Sequence, residues 1–205
     1  MKSLCKSIQG CVFGYTQSDE ITLILTDYDT IATEPWFGNN VQKIVSVSAS
    51  MATRYFNSHF RQNCTEYIYK NFENIAEEEQ EYRQNLCAKF DTALFDSRVF
   101  TLPKEEVCNC LIWRQQDAIR NSIESAGQAY FSPKKLHKKS CRQIQDMLLE
   151  QRGMDWNEYP ADCKIGSACI RKEIEVSDFI TRKKWVIDKE PPIFTQDREY
   201  IERWL

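Results

Sequence analysis

Cys11-Val12-Phe13-Gly14-Tyr15, then Thr16-Gln17-Ser18-Asp19, then Glu20-Ile21-Thr22-Leu23-Ile24-Leu25-Thr26 is the stretch whose reading decides the fold. Two runs rich in β-branched and aromatic residues flank a polar centre, which is the pattern of an antiparallel hairpin. Asp19 and Glu20 then stand at or beside its tip. Upstream, Met1, Leu4, Cys5 and Ile8 recur at helical spacing, and Gly10 ends that helix before the first strand. The chain thus opens in mid-helix, with no capping residue ahead of it.

Downstream, a helix is expected from about Trp36 to Phe60, with Val41, Ile44, Val45, Ser48, Ala52, Tyr55 and Phe56 as its inward stripe. Glu73 to Glu81 is acidic and lacks an apolar stripe, so it reads as a solvated loop or exposed helix. Strand composition returns from Ala88 to Phe100. Pro103 then starts a long helix carrying Val107, Leu111, Ala118, Ile119 and Ile123. Ser132-Pro133 opens a second module, headed by a basic run through Lys134, Lys135, His137, Lys138 and Lys139. A short helix follows, with Ser140 and Gln143 as a capping box and Gly153 as its stop. Short strands are expected at 165–170, 179–181 and 185–187, and a last helix from Thr195. The expected division is a core domain over residues 1–131 and a C-terminal α+β module over 132–205.

Composition sets the outer bounds. With 42% hydrophobic and 28% charged residues in 205, the chain can bury a core and is not disordered in bulk. It holds no apolar run of the roughly 20 residues a bilayer demands and no signal-peptide stretch at its start, so a cytoplasmic location is expected. Nine scattered cysteines without an export signal read as reduced thiols, and the spacings of Cys108 with Cys110 and of Cys163 with Cys169 do not match paired zinc ligands. The net charge of −3 carries no global nucleic-acid footprint, so any RNA contact must use local patches.

Two constellations hold chemical potential. Adjacent carboxylates at a hairpin tip offer hard oxygens to Mg²⁺, which binds through one or two carboxylates together with substrate phosphates. Nucleotidyl transfer uses such ions to activate the attacking oxygen and to stabilise the leaving group. Taken alone, an Asp-Glu pair in a turn is more often simply solvated. The second set is cationic: Lys43, Arg98, Arg114 and Arg120, on helices or beside a strand, are types that suit a triphosphate. Their bland reading is ordinary surface charge.

The order of these features along the chain is more specific than any one of them. Gly14-Tyr15-Thr16-Gln17-Ser18-Asp19-Glu20 resembles the hairpin of the tRNA-His guanylyltransferase family. Phe95-Asp96-Ser97-Arg98-Val99 with Pro103 resembles its Phe-Asp-x-Arg-Val strand, and Trp113-Arg114-Gln115-Gln116-Asp117 its Trp-Arg-Gln-x-Asp helix. The resemblance covers about residues 1–172. It implies an α+β, ferredoxin-like palm of the polymerase and cyclase type, an antiparallel sheet backed by helices. It also implies an enzyme that adds nucleotides to the 5′ end of tRNA in the 3′-to-5′ direction. There a 5′-monophosphate is activated with ATP or GTP and attacked by the 3′-hydroxyl of an incoming GTP. By matching position Asp19 is a metal ligand and catalytic, Glu20 supports the site, Ser18 and Lys43 contact nucleotide, and Arg114 contacts phosphate or RNA. Arg98 and Asn121 are taken with them as nucleotide contacts. Lys134, Lys135, Lys138 and Lys139 are the expected RNA contacts, Mg²⁺ the cofactor, and a dimer or tetramer the expected assembly.

Two departures qualify the resemblance. Ala118-Ile119-Arg120-Asn121-Ser122 stands where eukaryotic members have His-Ile-Asn-Asn, as in the bacterial and phage-like relatives that resemble repair enzymes for 5′-truncated tRNA. The family also has an Asp-Gly strand before the first helix, whose Asp partners the carboxylate matching Asp19. Residues 1–205 start inside that helix, so the expectation is a first strand missing, a half-built metal site and little transfer. The competing readings are a catalytically dead nucleotide- or RNA-binding remnant and, more weakly, a palm-type nucleotidyl cyclase.

Overall fold

The computed structural model describes residues 1–70, 77–177 and 180–205. In chain order it forms α1 (Lys2–Ser7), β1 (Cys11–Gln17), β2 (Glu20–Leu25), α2 (Val41–Lys70), α3 (Glu77–Ala88), α4 (Lys104–Tyr130), α5 (Pro133–Leu136), α6 (Cys141–Arg152), α7 (Ala161–Ile165), β3 (Ser167–Ser177), β4 (Ile180–Asp188) and α8 (Glu199–Glu202). The fold is α+β, with one four-stranded antiparallel sheet of order β2-β1-β3-β4 and backing helices. Contacts divide the chain into one unit of Met1–Ile31 with Leu102–Leu205 and a second of Ala32–Thr101. The first unit therefore holds residues from both sides of position 131.

In the first unit β1 is buried on both faces. Phe13 and Tyr15 point into a cluster with Val107, Cys108 and Leu111 of α4, Ala168 and Ile170 of β3, and Phe194, Tyr200 and Ile201 of the C-terminal segment. Full burial of such side chains stabilises by roughly 1.5–3 kcal/mol each. Alternation turns Gly14 to the opposite face, where Cys5 Sγ lies 2.5 Å from the place a Cβ would occupy. Cys5, Cys11 and Cys169 are all buried. A hydrogen bond with the Cys11 thiol, with burial adding, pushes Cys5 up to about 12, so it packs there as a neutral thiol.

The closing strand of the sheet arrives through a tight corner. Tyr15, its phenol pushed up by burial, donates a 2.6 Å hydrogen bond to the Ile165 carbonyl at the end of α7. Gly166 follows with φ 76° and ψ −170°, a conformation open essentially only to glycine. From there β3 pairs with β1 through Gly14↔Cys169, Tyr15↔Ala168 and Thr16↔Ser167.

The long helix and the small helix behave as their sequences dictate. Pro103 caps α4, whose Val107, Leu111, Ala118 and Ile123 are buried on one stripe. Ser140 and Gln143 form the capping box of α6, and Gly153 ends it at φ 65°. Ile123, Phe131, Ile144 and Leu148 make the small core between α4 and α6.

Several local expectations differ from the structure. Ala88 to Phe100 is not a strand: α3 runs to Ala88, and residues 92–103 carry no regular structure. The backbone bonds of this segment go to side chains of α2 instead of a ladder. Asn57 donates to the Ala93 carbonyl at 2.9 Å and accepts from its amide at 3.2 Å, and Thr53 accepts from the Phe95 amide at 3.0 Å. Phe95 meets Phe56 at 5.4 Å, so the aromatic content that suggested a strand packs on a helix. α2 continues to Lys70 rather than stopping near Phe60, and Val41 and Phe56 of its expected stripe are exposed whereas Asn57 is buried. The expected strands after residue 165 merge into the longer β3–β4 hairpin, and the helix expected from Thr195 is only α8. Residues 73–76 of the acidic stretch and Phe179 of an expected strand lie outside the described residues.

A Cβ at residue 166 would lie 2.4 Å from the Thr16 carbonyl oxygen and 2.8 Å from the Tyr15 hydroxyl. Gly166→Ala is therefore expected to destabilise the chain by about 2 kcal/mol or more, read as a lower urea midpoint. An unchanged midpoint would mean that this corner relaxes at no cost.

Candidate nucleotidyl-transfer site

The hairpin between β1 and β2 closes through Gln17↔Glu20, leaving Ser18 and Asp19 as a two-residue turn with Ser18 at φ 47°. A serine in that region is held there by the surrounding pairing, at a cost of order 1 kcal/mol. Ser18, Asp19 and Glu20 are exposed, whereas Gln17 behind them is only 4% exposed. Asp19 has no side-chain partner among the described residues.

Glu20 has a different environment. Its carboxylate accepts from Gln17 Nε2 at 3.0 Å and from Arg114 Nη1 at 2.8 Å. Arg114 thus brings the middle of α4 to the hairpin, with its guanidinium 5.0 Å from the Trp113 ring. The Gln17 Oε1 atom is buried without a hydrogen bond. The site therefore presents one available carboxylate, one carboxylate neutralised by a guanidinium, and one unsatisfied amide oxygen behind them.

The helix motif divides its labour. Gln115, only 2% exposed, donates to the Pro192 carbonyl at 3.0 Å and accepts from the Phe194 amide at 2.7 Å. Asp117 accepts from Arg120 and, at 3.1 Å, from Asn121 Nδ2. Arg120 and Asn121 are thus engaged by their own helix. Gln17, Gln115 and Asp117 were not singled out by sequence reasoning as organisers of this region. The legible signal for Gln115 was its place on the apolar stripe with Leu111 and Ala118, one helical step from each.

The other residues lie as follows. Lys43 is in the first turn of α2 in the second unit, with its amide donating to Asn40 Oδ1 at 3.1 Å and its ammonium 6.0 Å from the Phe37 ring. Arg98, also in the second unit, is well exposed and 3.8 Å from Asp96. Lys134, Lys135, Lys138 and Lys139 are exposed on and after α5, with Lys138 at φ 60°. In the first unit the structure brings together Glu20 and Arg114, while these lysines belong to a separate surface beside α6.

A Mg²⁺ site needs several converging oxygens. Among the described residues no group of three or more His, Cys, Asp or Glu side chains converges to hold a metal ion. With Glu20 committed to Arg114, the hairpin offers Asp19 toward such an ion and does not make a two-ion site by itself.

An antiparallel sheet that carries acidic residues at a hairpin tip, with an arginine helix laid against it, defines a palm-like α+β protein. The profile described as tRNAHis guanylyltransferase matches residues 1–103. The structure is similar to a bacterial tRNA(His) guanylyltransferase-like protein in complex with ATP, with TM-score 0.79, 38% identity, and coverage of 99% of this chain and 74% of that one. The same kind of protein in complex with GTP gives TM-score 0.71 and 35% identity over 99% of this chain and 73% of that one. The Saccharomyces cerevisiae tRNA(His) guanylyltransferase shares the fold at TM-score 0.55 and 19% identity, over 89% of this chain and 69% of that one. An uncharacterized protein of Acanthamoeba polyphaga mimivirus is 30% identical over 96% of this chain, which spans 66% of that relative's length. The chain belongs to the tRNAHis guanylyltransferase family.

The Glu20 and Arg114 side chains are 47% and 26% exposed, which limits the worth of their ion pair. A double-mutant cycle with Glu20→Gln and Arg114→Met is expected to give a coupling of about 0.5–1 kcal/mol in urea denaturation. A coupling above about 2 kcal/mol would mean that the pair is effectively desolvated.

Proposed function

We propose that this chain is part of a nucleotidyltransferase that adds GTP-derived nucleotides to the 5′ end of tRNA, in the 3′-to-5′ direction, for 5′-end maturation or repair. The observation that carries the reading is the Ser18-Asp19-Glu20 turn held against Arg114, on a fold whose relatives have been solved with ATP and with GTP. In this reading Asp19 is the carboxylate presented to Mg²⁺, Arg114 orients Glu20 and faces phosphate, and Ser18 contacts the nucleotide. Lys43, Arg98 and Asn121 are the further nucleotide contacts. The basic segment of the 132–205 module holds the RNA, the assembly is a homo-oligomer, and the location is cytoplasmic.

Mg²⁺ would neutralise charge that develops on the transferring phosphates. The described residues supply Asp19 toward it and no complete ligand set, so residues 1–205 by themselves are expected to bind GTP and to transfer it poorly. The same observation favours the second reading, a nucleotide- or RNA-binding remnant without catalysis. Robust labelling of a 5′-truncated tRNA from GTP by residues 1–205 would exclude the remnant.

Asp19→Asn removes a charge without changing shape. The increase in GTP affinity that Mg²⁺ produces should be lost in this variant, while GTP binding in chelator stays at the wild-type level. If Mg²⁺ tightens GTP equally in both proteins, the ion is held elsewhere.

Changing Lys134, Lys135, Lys138 and Lys139 together to Gln should weaken tRNA binding and lower the log–log salt slope by about 3, since each lost phosphate contact releases fewer counterions. GTP affinity should persist. Unchanged tRNA affinity and slope would make the run a solubilising surface only.

A further inference from the structure

Away from the hairpin, the first unit carries a cavity of about 390 Å³ where the C-terminal end of α4 meets the turn from α5 into α6. Its floor is apolar, made by Phe131, Pro133, Leu136 and Ile144. Gly127 permits that floor, because a Cβ there would lie 2.6 Å from Ile144 and 3.3 Å from Leu136. On the α4 wall stand Glu124 and Gln128, one helical turn apart, exposed and without side-chain partners among the described residues. His137 and Lys139 complete the lining.

The mouth is cationic although the chain is net negative. Lys135 and Arg152 stand 5.8 Å and 5.6 Å from the Phe131 ring, Arg152 also donating to the Tyr130 carbonyl at 3.2 Å, and Lys134 and Lys138 are exposed in the same basic run. An apolar floor for a flat ring, an acceptor on one wall and ammonium groups at the opening together match one chemistry, a nucleotide unit of a polyanion. The volume lies near the small end of ligand cavities, enough for a single base and not for a duplex.

We propose that this cavity is a subsite for one unpaired guanine nucleotide of the bound RNA, with the base on the Pro133 and Leu136 floor and its phosphates on Lys135 and Lys139. The Glu124 carboxylate selects the base. Guanine offers a ring N–H and an exocyclic amine side by side, which two carboxylate oxygens accept together, and adenine has no such adjacent pair. Gln128 supplies an amide donor on the same wall for the guanine carbonyl. The inference rests on the reading that this protein binds RNA, and it names a second contact point distinct from the Asp19 hairpin.

The test uses fluorescein-labelled UUGUU and UUAUU ribonucleotides titrated with residues 1–205 and followed by anisotropy at fixed salt. The expected result is a preference for UUGUU of roughly tenfold, of the size a bidentate base contact gives. Glu124→Gln should erase the preference without weakening UUAUU, and Lys139→Gln should weaken both RNAs while the preference remains. Equal affinities in the wild-type chain, or a preference that survives Glu124→Gln, overturns the proposal. Asp19→Asn separates the two readings: a preference that survives it belongs to the cavity, and a preference lost with it places the guanine at the hairpin and overturns the subsite. A Glu124-dependent preference in a chain that fails to bind tRNA would leave the subsite standing and refute the tRNA reading.

Discussion

The first unit depends on a single strand being covered on both faces. β1 pairs with β2 on one edge and β3 on the other, and its alternating side chains are taken by α4 and the C-terminal segment on one face and by α1 on the other. A strand so placed must satisfy its hydrogen bonds and its packing at once, because an orphaned backbone group in that position costs as much as a lost hydrogen bond. The Tyr15 to Ile165 hydrogen bond and the Gly166 corner are how a segment 150 residues away is brought into register. The hairpin tip inherits its position from this strand, so the Ser18-Asp19-Glu20 turn sits on one of the most constrained parts of the molecule.

That constraint explains why so little of the motif chemistry is free to move. Glu20 is held by Gln17 and Arg114, Gln115 holds the chain at Pro192 and Phe194, and Asp117 holds Arg120 and Asn121. Of these, the Gln17 and Arg114 bonds to Glu20 fix the residue next to Asp19, whereas those of Gln115 and Asp117 hold the C-terminal segment and the helix itself. The second unit works by a related device. Asn57 and Thr53 on α2 bond the backbone groups that a neighbouring strand would otherwise pair, Ser48 donates to the Ser97 hydroxyl, and together they anchor the segment that carries Arg98.

The sequence by itself determined the elements whose signals are local. The β1–β2 hairpin, the Pro103 start and apolar stripe of α4, and the Ser140, Gln143 and Gly153 boundaries of α6 follow from alternation, periodicity and capping, each settled within a few residues. The family was legible for the same reason, since its three motifs are contiguous runs. What only the tertiary structure decided was where long-range hydrogen bonds go. Ala88 to Phe100 has strand composition, yet the backbone partners of Ala93 and Phe95 are side chains on α2, about 40 positions earlier. The pairing of β1 with β3, the engagement of Glu20 by Arg114 and the burial of Gln115 against Pro192 join residues 77 to 155 positions apart. No local pattern encodes such partners, because β-branched and aromatic residues pack as well on a helix as on a sheet. Likewise a carboxylate shows whether it is free or neutralised only when the opposing guanidinium has been brought to it.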